Sequence, residues 1–175
     1  MKREFIQLES IQPDTFVATA ALDCMTEMQM GQMALTQAVS EAVREYGRHV
    51  IADHGNTLAD IAAIAARKGI PVPTSLDEHH DRLVRHMREK SESDFDSAYA
   101  GYMADGYQKS LLLYKRGQRI KNPDISALAS RGLIRLESRK GLTNSLLENI
   151  APQDWPVLLN DRTECSEGQS HESRN

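Results

Sequence analysis

The stretch that most constrains this chain is Glu41–Lys68, where apolar or small residues recur at every third or fourth position. They are Val43, Gly47, Val50, Leu58, Ile61 and Ala65. This spacing predicts one long helix with a buried face. Ser40 is predicted to cap its N-terminus, and Gly69 followed by Pro71 to end it. Because His54 falls on the same stripe, the helix is expected to carry a polar group into the core.

The same periodicity recurs along the rest of the chain. It predicts long helices over 14–39, 41–68, 95–119 and 123–149, and a short helix over 76–90. Aromatic residues make up only 5% of the sequence, which also favours helices over strands. The predicted fold class is therefore all-α, a four-helix bundle with a short extra helix between the second and third long helices. The histidines of that short helix, His79, His80 and His86, are predicted to be solvated.

The length of 175 residues suits a single domain. We expect an N-terminal arm over 1–13, a helical bundle domain over 14–159 and a disordered polar tail over 160–175. No segment approaches the ~18 apolar residues that a membrane-spanning helix needs. The N-terminus lacks the apolar run of a signal peptide. The chain as written is thus expected to be cytoplasmic, or periplasmic if a signal peptide was removed before numbering.

The net charge of the chain and the motifs that it lacks argue against several classes of function. The net charge of −4, with no long basic run, argues against a nucleic-acid partner. Cys24 and Cys165 have no disulfide or zinc spacing. The sequence also lacks a nucleophile motif, a phosphate-binding loop and a cofactor fingerprint. These observations favour a protein that is not an enzyme and has no cofactor.

Each long helix carries one polar residue near the middle of its predicted buried face. These residues are Glu27, His54, Tyr107 and Arg139. If the helices run side by side, the four meet in one polar core layer. An arginine stays protonated and repels a metal cation. The set therefore predicts a charge-paired core, in which Arg139 neutralises Glu27, rather than a metal site.

Two alternatives use the same region. In the first, Glu27, Asp53 and His54 hold a weakly bound divalent metal. In the second, His54 transfers protons in a small internal pocket, oriented by Glu27 or Asp53.

Several short motifs carry a family resemblance. They are Asp14-x-Phe16, Glu27-x-x-x-Gly31-x-x-Ala34, Asp53-His54, Gly69-Ile70-Pro71-Val72-Pro73 and Phe95-Asp96-x-x-Tyr99. In order and spacing they resemble a bacterial family of unknown function, over about 15–150. Its members resemble ferritin-like bundles and are commonly labelled outer-membrane or periplasmic proteins. The family usually has Asp-His where this chain has Gly106-Tyr107, and His where it has Arg139. The resemblance thus implies a ferritin-like fold whose metal site has lost ligands.

Two functions follow from these observations. The first is a non-catalytic ferritin-like bundle with a degenerate metal site, which binds a protein partner or another copy of itself, as in a stress response. The alternative is a ferritin-like metal-binding or oxidant-handling protein that uses Glu27, Asp53 and His54.

Overall fold

The structure, a computed structural model, describes residues 11–150, and these residues form five helices and no strand. The helices are α1 (Pro13–Gln37), α2 (Glu41–Lys68), α3 (Glu78–Arg88), α4 (Glu92–Gly117) and α5 (Pro123–Ile150). The prediction of an all-α chain is confirmed. None of these helices has the length and hydrophobicity needed to cross a bilayer. The predicted polar tail and most of the N-terminal arm fall outside the described residues.

The boundaries of α2 match the prediction. The Ser40 hydroxyl accepts a hydrogen bond of 3.2 Å from the Ala42 amide, which leaves fewer first-turn N–H groups without a partner. Gly69 ends the helix at φ 67°, a left-handed conformation that glycine adopts without the steric penalty of a Cβ.

The turn between α1 and α2 is attached to α4. α1 ends at Gln37, slightly before the predicted end at residue 39. The two oxygens of the Asp96 carboxylate then accept hydrogen bonds from the Val39 and Ser40 amides, at 3.2 and 2.7 Å. These bonds fix the start of α2 against the first turns of α4.

The short helix α3 is shorter than predicted, because Asp77 caps it. The Asp77 carboxylate accepts a hydrogen bond from the His80 amide at 2.9 Å and also contacts the His80 ring at 2.6 Å. α3 packs against α1, and its Val84 and Met87 are buried. α4 begins at Glu92, three residues before the predicted start at 95.

Glycines let α1 and α2 approach closely. A Cβ added to Gly47 would lie 2.9 Å from the Ala34 Cβ and 3.0 Å from the Gly31 carbonyl oxygen. A real side chain cannot occupy that space unless the helices separate. This contact lies about two turns from the middle of both helices, so it holds their central residues face to face.

The long helices run antiparallel to their neighbours in the order α1, α2, α5, α4. Phe16 near the start of α1 packs against Gly117 at the end of α4, and Glu27 lies beside Gly106. The Asp124 carboxylate at the start of α5 contacts the Lys68 ammonium at the end of α2, at 2.5 Å. The connection 69–91, which contains α3, spans the length of the molecule.

Aromatic clusters close both ends of the core. At one end the Tyr99 ring stacks on Phe95 and meets the edge of Tyr46, with centroids 5.8 and 6.2 Å apart. At the other end Phe16 and Tyr114 meet edge to face at 5.7 Å. The polar residues of the middle layer therefore lie between two apolar, water-excluding layers.

Candidate functional site

Three of the four residues of the predicted polar layer meet at the centre of the molecule. His54 Nε2 lies 2.8 Å from Glu27 Oε2 and 2.6 Å from Arg139 Nη1. Arg139 Nη1 lies 3.8 Å from Glu27 Oε2. All three residues are at least 94% buried, with Glu27 3% exposed and the other two 6%. The imidazole thus lies between a carboxylate and a guanidinium, and we call these three side chains the central cluster.

Tyr107 does not join this cluster. It is buried in α4, but no hydrogen bond or ion pair within 11–150 connects its hydroxyl to the other three side chains. The α4 residue that faces the cluster is Gly106. A Cβ there would lie 2.8 Å from Glu27 Oε1. The close neighbour of this glycine is therefore the Glu27 side chain.

Two further side chains extend the central cluster. The Cys24 sulfur lies 3.3 Å from His54 Nδ1, so both ring nitrogens have a neighbour. Asp53 Oδ2 lies 3.5 Å from Arg139 Nη1 and its side chain is 28% exposed. Asp53 therefore balances part of the arginine charge from the side that faces solvent.

A chain of hydroxyls holds the backbone beneath Arg139. The Thr143 hydroxyl donates to the Arg139 carbonyl oxygen at 3.1 Å, and the Tyr46 hydroxyl then donates to Thr143 Oγ1 at 2.9 Å. One turn earlier on α5, Arg135 Nη2 donates to the Asp60 carboxylate at 2.8 Å. These contacts fix α5 against α2 on both sides of Arg139.

The electrostatics of the cluster follow from burial and charge pairing. Burial alone favours the neutral form of the Glu27 carboxyl, but the charges of His54 and Arg139 outweigh it and lower its pKa. Burial also disfavours the charged form of Arg139. The negative charge of Glu27 is the largest of the effects that outweigh burial and raise the pKa of the guanidinium. Burial, reinforced by the Glu27 charge, raises the pKa of the Cys24 thiol well above its usual value. Glu27 and Arg139 are thus an ion pair next to a protonated, unreactive thiol.

The contacts of these residues do not suit a metal. Arg139 Nη1 lies 2.6 Å from His54 Nε2, so the guanidinium covers the nitrogen that faces Glu27. Asp53 contacts that guanidinium rather than His54. Among residues 11–150 no group of three or more His, Cys, Asp or Glu side chains is placed to hold an ion. The alternative ligand set of Glu27, Asp53 and His54 therefore does not converge on one point.

Two clefts border the central cluster. One, of about 320 Å³, lies between α1, α3 and α4 and reaches Glu27. The other, of about 300 Å³, lies between α2 and α5 and reaches Asp53 and Arg139. The prediction that all three histidines of α3 are solvated is wrong for His80, which lines the first cleft with a side chain only 14% exposed. His79 and His86 are exposed as predicted.

Sequence reasoning missed two parts of the site. Cys24 was considered only for a disulfide or a zinc site, although its place three residues before Glu27 puts both on one helix face. The role of Gly106 had a weaker signal, since a glycine inside a helix does not reveal which neighbour approaches it.

Comparison with known proteins identifies the family. The pattern of a domain of unknown function, DUF4142, matches residues 7–146. This match covers all three residues of the central cluster and most of the described helices. Searches of curated proteins and of solved structures give no match. The chain therefore belongs to the DUF4142 family, a domain of unknown function.

Proposed function

We propose that this protein is a non-catalytic, ferritin-like four-helix bundle with a degenerate metal site, and that it acts as a binding or interaction protein in a stress response. Each of the four long helices runs antiparallel to its neighbours, and one long crossover, 69–91, connects α2 with α4. This arrangement supports the ferritin-like assignment. Bundles of that class have one such crossover and place their metal ligands on the inner faces of the helices. The central cluster lies on those faces.

The position of Arg139 carries this proposal. Its guanidinium lies where a metal bound by Glu27 and His54 would have to sit, and its charge already neutralises the carboxylate. A cation that entered this space would meet a permanent positive charge in a region of low dielectric. The ion pair therefore gives the bundle a stable centre without a metal, and function then depends on surfaces rather than on the core.

Metal analysis tests this proposal. Protein purified without chelator should contain iron, manganese and zinc far below stoichiometric amounts. It should also leave the rate at which ferrous iron alone consumes peroxide unchanged. A stoichiometric metal, or peroxide consumption faster than that of ferrous iron without the protein, would support the alternative, a metal-binding or oxidant-handling protein that uses Glu27, Asp53 and His54.

A pair of variants sharpens the test. Arg139→His removes the guanidinium and adds an imidazole beside Glu27 and His54, so this variant should gain affinity for Zn²⁺ in equilibrium dialysis. Arg135→His is the matched control, because it makes the same change one turn away, where the arginine contacts Asp60 instead. Equal zinc binding by both variants would show that Arg139 does not block the site.

Sedimentation separates the two kinds of partner. A species heavier than the 19.6 kDa chain would indicate a homo-oligomer. A strictly monomeric protein would assign the interaction to a different protein.

A further inference from the structure

The cleft between α1, α3 and α4 has features that the central cluster does not explain. Its volume of about 320 Å³ is at the lower end of the range for small-molecule sites. The helices contribute Asp23 and Glu27 from α1, His80 and Leu83 from α3, and Tyr102 and Asp105 from α4. The cleft therefore combines three carboxylates with an apolar and an aromatic side chain.

Gly106 opens this cleft towards Glu27. A Cβ at this position would lie 2.8 Å from Glu27 Oε1, so the missing side chain leaves that oxygen facing the cleft. The Glu27 side chain is 96% buried, and its ion pairs with His54 and Arg139 use Oε2. Within 11–150, no hydrogen bond or ion pair uses Oε1. This carboxylate oxygen thus faces the cleft, while Oε2 makes the contacts with His54 and Arg139.

Asp23, unlike Glu27, has no arginine or lysine beside it among residues 11–150. Burial, and then the negative charge of Glu27, raises the pKa of its carboxyl to about 6. Its nearest basic group, His80 Nε2, lies 3.6 Å away, while the other ring nitrogen of His80 contacts Asp77 at 2.6 Å. A cation in the cleft would stabilise the ionised form of Asp23 and also supply a donor to Glu27 Oε1.

We propose that this cleft binds a small organic ammonium ion. An ammonium group offers three donors on a compact charge, which suits carboxylates spread around a cleft. Leu83 and Tyr102 line the same cleft and give its carbon chain an apolar surface. Metal ligands must converge on one point, and the cleft carboxylates are not placed to do so. An anion would face three carboxylates, with Lys109 already paired to Asp105 at 2.6 Å.

Calorimetric titration with 1,4-diaminobutane tests the site in the full chain. The wild-type protein should bind one molecule saturably, and neutral 1,4-butanediol should not bind. Gly106→Ala fills the opening to Glu27, and Asp23→Asn removes a charge that faces the cleft. Each should weaken binding by about tenfold or more, as loss of a charge-assisted hydrogen bond does. A melting curve confirms that each variant is folded.

Two control variants match these changes. Gly141→Ala is the same substitution at an exposed helical glycine with no atom within 4 Å of the added Cβ. Asp14→Asn makes the same change in net charge at an exposed position near the start of α1. Both should bind the diamine like the wild type. The proposal is wrong if the wild type shows no saturable binding, if Asp14→Asn weakens it as much as Asp23→Asn, or if equimolar Mg²⁺ displaces the diamine.

The pH dependence of diamine affinity gives an independent test of this site. The groups that face the cleft are Asp23, Glu27, His79, His80, Asp105 and Lys109. As the pH falls through about 6, Asp23 loses its charge, so diamine affinity should fall. In Asp23→Asn that part of the pH dependence should disappear. An identical pH profile in the variant and the wild type would overturn the assignment of Asp23. Metal content of the purified protein is a separate measurement, so this proposal and the proposed function can fail independently.

Discussion

A double-mutant cycle on Glu27 and Arg139 tests whether the central cluster is held by their opposite charges. Glu27→Met and Arg139→Met each remove one charge and keep an unbranched side chain of similar length. Either single variant leaves the opposite charge buried, since the two side chains are only 4% and 5% exposed. The double variant removes both charges, so the loss of stability should be smaller than in either single variant.

The remaining contacts of Glu27 and Arg139 determine how much stability each variant should lose. Breaking a fully buried ion pair costs about 3–5 kcal/mol, whereas replacing both partners by apolar residues is often close to neutral. Here Asp53 still lies 3.5 Å from Arg139 when Glu27 is removed, and His54 still lies 2.8 Å from Glu27 when Arg139 is removed. We therefore expect about 2 kcal/mol for each single variant and about 1 kcal/mol for the double, a coupling of about 3 kcal/mol.

Urea denaturation followed by circular dichroism measures all four free energies of unfolding. The Glu78–Arg82 pair on α3 provides a matched control, because its contact of 2.8 Å joins side chains that are 82% and 58% exposed. Its coupling should stay below about 0.5 kcal/mol. Additive effects of Glu27→Met and Arg139→Met, or a coupling no larger than that of the control pair, would refute a charge-paired core.

Three further predictions concern stability. Gly47→Ala should lose about 1–3 kcal/mol because its Cβ meets α1, whereas Gly141→Ala should gain about 0.5–1 kcal/mol; urea unfolding compares the two. Asn122→Ala should lose about 1 kcal/mol in the same assay, since its side chain accepts hydrogen bonds from two first-turn amides of α5. The raised pKa of Asp23 means that its ionisation destabilises the fold as the pH rises from about 4 to about 6. Asp23→Asn should therefore be more stable than the wild type above pH 6 and equal to it near pH 4; a constant difference across this range would contradict the shift.

The helices were predictable from the sequence because local rules determine them. The limits of α2 follow from a serine cap and a glycine end, and the structure reproduces both. The predicted starts of α3 and α4 were wrong by two and three residues, because several polar residues that could cap the helix precede each of them. Which of them caps the helix depends on contacts such as that of Asp77 with His80, which sequence spacing does not reveal.

The central cluster was only partly predictable. Periodicity placed Glu27, His54 and Arg139 on inward faces, and the structure brings these three together. The same argument placed Tyr107 in the layer, but helix rotation presents Gly106 to Glu27 instead. Neighbouring positions on a helix differ by about 100°. A stripe therefore identifies a buried face without showing which side chain reaches a given partner.

The short contacts around His54 explain why this cluster is more than an ion pair. In a neutral His54 ring, Nε2 carries either a proton or a lone pair, so it donates to Glu27 or accepts from Arg139, but not both. If it accepts from Arg139, Nδ1–H donates to the Cys24 sulfur and Glu27 Oε2 loses its donor. If it donates to Glu27, the Cys24 thiol donates to Nδ1 and Arg139 depends on Asp53. Arg139 Nε is already buried without a hydrogen-bond partner among the described residues. The position of one imidazole proton therefore decides whether the carboxylate or the guanidinium is better satisfied. The hydrogen bonds of residues from α1, α2 and α5 therefore depend on this single ring.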